Sequence, residues 1–168
     1  MESISHANGR RLWTFSVRAR RWTVVPSLIL LGGLSACASP SDPSDGPSEV
    51  VLNFARDYDS WAQSGYADPI PDSLREAVSK DKFSALEDDQ NWYLPGGVVQ
   101  HGEVRVVDTE LIPIDSDHAV VNVTFDASAV SITAQGQETW VDNSEPIVTQ
   151  FTLEKGDTWR IVSTESDG

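Results

Sequence analysis

The longest apolar run of the chain, the thirteen residues Val24 to Ala36 (VVPSLILLGGLSA), stops at its only cysteine, Cys37. A helix needs about 20 apolar residues to cross roughly 30 Å of hydrocarbon, so this run is too short to be a membrane span. It is preceded by five arginines, Arg10, Arg11, Arg18, Arg20 and Arg21. A basic stretch followed by a short apolar core has the layout of a signal peptide. The run also divides the charge. Residues 1–36 hold those five arginines against Glu2, a net of +4, whereas residues 37–168 hold seven basic against twenty-five acidic residues, a net of −18. A targeting segment at 1–36 joined to an acidic folded body is the expectation. A body of that sign repels phosphates, which excludes nucleic acid as its partner. One cysteine excludes an internal disulfide and any multi-thiolate metal site.

The residues Leu34-Ser35-Ala36-Cys37 place small side chains just before the thiol. Together with the basic region and the short core, this resembles the lipobox of bacterial lipoproteins, in which the cysteine is lipidated and becomes the first residue of the mature chain. The resemblance implies a lipid on Cys37, no transmembrane helix in the mature protein, and residence on the outer face of the cytoplasmic membrane. Each buried methylene of the acyl chains contributes roughly 0.8 kcal/mol, so several chains suffice as an anchor. The pair Arg10-Arg11 before Leu12-Trp13 leaves the general secretory and twin-arginine routes both open. Residues 38–48, ASPSDPSDGPS, consist almost wholly of Ser, Pro, Asp and Gly. They have too little apolar surface to offset their ordering entropy, so 37–48 reads as a lipidated cysteine and an extended tether.

The remaining 120 residues, 49–168, suit a single core. Val51, Phe54, Ala55, Tyr58, Trp61 and Ala62 recur at spacings of three and four, which predicts a helix over 49–64 with Pro47 and Ser48 at its start and Gly65 at its stop. A second helix is expected over 72–79 with Asp72 or Ser73 as cap, and a short third over 81–88 burying Phe83 and Leu86. From Val98 the pattern changes to strands. These are expected over 102–114 and 119–133, from about Glu138, over 147–154 and over 158–163. The turns between them fall at Asp115-Ser116-Asp117, Gln135-Gly136-Gln137 and Lys155-Gly156-Asp157, with Gly156 supplying positive φ. Two or three amino-terminal helices packed on a curved antiparallel sheet of four or more strands make an α+β domain.

The opening segment VVLNFARDYDSWAQSGY, the Leu74 helix, the strand GEVRVVDTELIPI and the closing hairpin FTLEKGDTWRIV resemble the nuclear transport factor 2 superfamily, which includes ketosteroid isomerases and polyketide cyclases. The resemblance covers nearly all of 49–168 and implies a cone-like sheet with helices on one face. Its motifs are patterns of packing. In the enzymes of that superfamily a carboxylate inside the cone, paired with a Tyr or a second acid, moves a proton. Asp108 and Glu110, which share strand parity with Val104, Val106 and Ile112, are the catalytic candidates here, with Asp126 on the opposite parity to Val121, Val123 and Phe125. Tyr58 and Tyr66 are the candidate phenols.

Trp92 and Trp140 fall in less regular stretches and are candidates for lining a ligand pocket or partner surface, whereas Trp61 and Trp159 suit the core. His101 and His118 lack the spacing of metal ligands, and Asp115, Asp117 and Asp126 lack the glycine of a calcium loop, Val120 standing in its place. No phosphate-binding glycine run or nucleophile elbow occurs, and no metal or cofactor is expected. The leading expectation is a non-catalytic, membrane-anchored lipoprotein of the cell envelope that binds a protein partner or small ligand. An isomerase or cyclase using an inward carboxylate, and a purely structural envelope component, stay open beside it, because fold alone does not choose among them.

Overall fold

A computed structural model of the protein describes residues 46–140 and 145–167. The expected signal peptide, Cys37 and the expected tether as far as residue 45 lie outside the described residues. Helix α1 (Pro47–Gln63) follows the apolar stripe predicted for it, with Pro47 in its first turn and Val51, Phe54, Ala55, Tyr58, Trp61 and Ala62 buried. It ends in a Schellman arrangement. The Gly65 N–H donates to the Ala62 carbonyl and the Tyr66 N–H to the Trp61 carbonyl, at 3.1 and 3.0 Å. Gly65 and Tyr66 both take positive φ, 75° and 57°. The ring contact that accompanies this motif is Trp61 on Tyr66, with centroids 5.0 Å apart.

Helix α2 (Asp72–Ala77) is capped by Pro71 and not by Asp72 or Ser73. Helix α3 (Lys80–Tyr93) runs five residues beyond the expected 88, to Tyr93, and is capped by Ser79, whose hydroxyl accepts the Lys82 N–H. Leu86 is buried and Phe83 half-buried, as its period requires. No helix among the described residues is long and apolar enough to cross a membrane.

The strands are β1 (Val99–His101), β2 (Arg105–Pro113), β3 (His118–Asp126), β4 (Ser131–Ala134), β5 (Gln137–Trp140), β6 (Ile147–Lys155) and β7 (Trp159–Asp167). They form two antiparallel sheets, of order β2-β3-β6-β7 and β1-β4-β5. The chain is therefore α+β, three helices followed by antiparallel sheet, as its composition of helix-period and strand-period segments implies. Core residues of α1, α2 and α3 pack on alternate residues of β3, β6 and β7, chiefly Val121, Val123, Phe125, Phe151, Leu153 and Ile161. Burying each such side chain contributes roughly 1.5–3 kcal/mol.

Three expectations are corrected. Residues 119–133 are two strands, because Asp126 accepts the Ser128 N–H through its side chain (2.9 Å) and the Val130 N–H returns to the Ala127 carbonyl (3.0 Å), a turn that sends β4 into the other sheet. Residues 102–114 are broken at Gly102, which takes φ +85° with the Ala129 carbonyl so near that a Cβ would stand 2.2 Å from it. Gly156 does not take positive φ. The positive-φ pair instead occupies the two-residue turn between β4 and β5, Gln135 (52°) and Gly136 (77°).

Candidate functional site

The interior under the four-stranded sheet is filled with rings. Tyr58 meets Phe54, Trp61 and Tyr66 at centroid distances of 6.0, 5.8 and 6.3 Å, and Tyr66 stacks on Tyr93 at 4.6 Å. Phe54 reaches Phe151 of β6 edge-on at 6.3 Å. Inside this packing runs a polar row. The Tyr58 hydroxyl donates to Asp89 Oδ2 at 3.0 Å, and the Tyr66 hydroxyl is hydrogen-bonded to Tyr58. Burial, which disfavours the charged form, raises the Asp89 carboxyl to about 6, with Asp88 adding to the rise and Tyr58 and Lys82 opposing it. Burial likewise raises both phenols above their ordinary range. Lys82 closes the row on the β7 side, its Nζ donating to Thr164 Oγ1 at 3.0 Å, with its ammonium lowered by burial.

A second carboxylate, the buried Asp59, ties the small sheet to α1. Its Oδ1 accepts from Gln100 Nε2 (2.5 Å) and from the Val104 N–H (3.2 Å), and its Oδ2 from Gln63 Nε2 (2.6 Å). Burial raises its pKa while these three donors pull it back. With three donors on its two oxygens, Asp59 holds the chain on either side of Gly102 against the helix. It lines a cleft of 580 Å³ between α1 and the start of β2, with Arg56, Glu103 and Arg105 at the rim and Val106 and Phe125 on the wall. A second cleft of 980 Å³ lies where the start of α1 and helix α2 meet the β6–β7 turn, between Phe54, Glu76 and Trp159.

Asp108 and Glu110 are exposed and away from both carboxylate clusters. The reason is a bulge: the β2–β3 register shifts between Val106 and Asp108, so Val106 stands opposite Phe125 on the core side while Asp108 and Glu110 stand opposite Thr124 and Asn122 on the outer side. Glu110 accepts from Asn122 Nδ2 at 3.1 Å. Asp126 also points outward and pairs with Arg105 at 2.6 Å. Trp92 is 79% exposed at the end of α3. Trp140 closes β5 opposite Ser131, and its side chain lies outside the described residues. His101 and His118 are exposed, bonded to Thr133 and Asp115. No group of three His, Cys, Asp or Glu among the described residues is placed to hold a metal.

Of the residues the sequence proposed, Tyr58 and Tyr66 are the two brought together. Their carboxylate partner comes from α3, not from a strand. Asp89 was legible only as an acid on the Leu86–Tyr93 side of a helix taken to end at 88, and Asp59 as an acid interrupting the Val51–Ala55–Ala62 stripe.

The other surface of note is the end of the sheet at β2, with Ile114 just after that strand. Val106, Val107, Leu111, Ile112 and Ile114 are 45, 60, 44, 40 and 61% exposed, with Val148 of β6 at 39%.

No family model and no curated protein matches the chain. Among solved structures it is similar to the intermembrane space region of the chloroplast protein ARC6, at 11% identity and TM-score 0.47, over 71% of this chain and 95% of that one. It is also similar to a putative calcium/calmodulin dependent protein kinase II association domain from Xanthomonas campestris, at 16% identity and TM-score 0.44, over 80% and 96%.

Proposed function

We propose that the protein is a lipid-anchored, non-catalytic component of the cell envelope whose nuclear transport factor 2 like domain binds a protein partner across strand β2. The observation that carries this reading is the distribution of apolar side chains. Rings occupy the interior where an enzyme of the superfamily would hold its substrate, while six large apolar side chains lie exposed on β2, at Ile114 just after it, and on β6 beyond β3. Val106 and Leu111 stand on the core-side face, opposite Phe125 and Val121, and Ile112 and Val148 on the outer face, so the apolar side chains flank this end of the sheet on both faces. Apolar surface concentrated at one place marks an interaction site more often than scattered single residues do. The anchor is the lipid on Cys37, and the acidic body is held off an anionic lipid surface by its own charge. The test is cross-linking in the native membrane followed by affinity capture, comparing the full chain with a Val107→Ser/Ile114→Ser variant. A partner captured by the first and lost from the second is expected; equal capture by both would overturn the assignment of the surface.

A second reading, an isomerase or cyclase, is favoured by one observation, the Tyr66–Tyr58–Asp89 row with its carboxyl at about 6. It would use Asp89 in place of Asp108 or Glu110. Titration of a carbon-13 label at the Asp89 carboxyl with and without a panel of small cyclic ketones distinguishes it. A midpoint moved by a ketone would favour the enzyme.

A further inference from the structure

We infer that β2 is a strand-accepting edge that takes an extended, basic segment of the partner as a fifth strand of the larger sheet; the inference rests on the proposed reading of that surface and adds the partner's chemistry. The two edges of the sheet are treated differently. At β7 the corner between α2 and α3 covers the edge at Ile161: Val78 bridges Ile161, and the Ser79 N–H donates to the Ile161 carbonyl at 2.9 Å. β2 lies at the other end of the strand order. The Ile114 N–H donates to the His118 carbonyl at 3.1 Å. Antiparallel ladders alternate, so in the same register Ile112 and Glu110 bond to Val120 and Asn122. The N–H and C=O groups of Thr109 and Leu111 then face away from β3. Pro113, the next outward position, has no N–H, and the bulge at Val107 breaks the line at the other end. Between them lies a window about 20 Å long, at roughly 3.3 Å per residue.

Charge selects the occupant. Asp108 and Glu110 flank the outward Thr109, and Asp115 and Asp117 follow the strand, while Arg105 is committed to Asp126. A second copy of the chain fits poorly. The antiparallel register that sets Val107 against Leu111 sets Asp108 against Glu110 twice, and each copy brings a net of −18 over residues 37–168. A segment alternating apolar and basic side chains satisfies both the amides and the charge.

The probes are two capped heptapeptides, one alternating valine and lysine and one alternating valine and glutamate, added to the full chain in detergent micelles. Binding of the lysine peptide should slow amide hydrogen exchange at Thr109 and Leu111 at least tenfold and leave Glu110 and Ile112 unchanged, with the glutamate peptide binding at least tenfold more weakly. N-methylation of alternate peptide amides should abolish the protection. No binding of the lysine peptide, binding without protection of Thr109 and Leu111, or equal binding of both peptides would overturn the inference. So would slowed exchange without any peptide that rises with protein concentration, since that assigns the edge to a second copy. If the Val107→Ser/Ile114→Ser variant still loses the cross-linked partner while the peptide result is negative, the surface stands and strand addition fails. If the partner is kept and the peptide binds as expected, the reverse holds.

Discussion

Tyr58 and Asp89, 31 residues apart in sequence, meet inside the ring cluster with the phenol donating to Oδ2 at 3.0 Å. The contact joins α1 to α3, and it sets a carboxyl among aromatic faces that cannot solvate its charge. Asp89 therefore favours the protonated form, with a folded pKa of about 6 against an ordinary 3.8.

A pH dependence of stability follows. Between about pH 4 and 6 the folded chain holds a proton at Asp89 that the unfolded chain has released, so this group's stabilisation is full below about pH 4 and is lost as pH rises through 6. Two units correspond to about 3 kcal/mol. Asp89→Asn keeps an acceptor for Tyr58 without the charge. It should raise the melting temperature at pH 8, leave it little changed at pH 4, and flatten the slope between. A smaller slope of the same sign should persist from Asp59, also raised by burial. His118, raised by its bond to Asp115, acts above pH 6.5, and the lowered Asp115 and Asp126 act below pH 3.8, so the window belongs to the buried acids. Thermal melts of both proteins at pH 4, 6 and 8 decide it.

Asp59→Ala should be costly for a different reason. It strips three donors of their acceptor, among them the buried Gln100 amide, and frees the segment around Gly102 from α1. Leaving buried donors unpaired costs about 1–3 kcal/mol each, so a loss of about 3 kcal/mol or more is expected in urea titration. Asp59→Ala with Gln100→Leu should lose less than the two single changes added together, because the second change removes the orphan that the first creates.

Periodicity carried the helices and the core, since Val51 to Ala62 and Val121 to Phe125 bury in order of their spacing. It failed where one backbone event changes parity. The bulge at Val107 lies within a run whose alternation looks continuous, and it moved Asp108 and Glu110 to the outer face. The Asp126 side chain, folded back on Ser128, ended a strand that its apolar residues would have continued. Asp59 and Asp89 were hidden because a helix surface in an acidic chain offers many acids, and only tertiary packing distinguishes the buried Asp59 and the half-buried Asp89.

Gly102→Ala tests the junction of the two sheets. The residue is at φ +85°, and the added methyl carbon would meet the Ala129 carbonyl oxygen at 2.2 Å. Neither backbone can yield without disturbing β1, β2 or the turn into β4. A loss of several kcal/mol, or failure to accumulate folded protein, is expected, whereas Gly97→Ala, with φ +58° and open space around it, should cost about 1 kcal/mol. Circular dichroism with urea titration measures both.

Val107 and Val121 make a matched pair for the proposed surface. Both are β-branched strand residues, but Val107 is 60% exposed on the bulge and Val121 is fully buried. Threonine keeps the branched shape and strand preference of valine and adds one hydroxyl. At Val121 that hydroxyl faces the core, and desolvating it should cost about 1–3 kcal/mol. At Val107 it meets water, so stability should stay within about 0.5 kcal/mol. Urea midpoints measure the contrast. A Val107→Thr protein as stable as the parent but weakened in partner cross-linking would separate the binding role of β2 from its role in the fold; a marked loss of stability would show that Val107 is needed for folding and that its exposure is no sign of a partner.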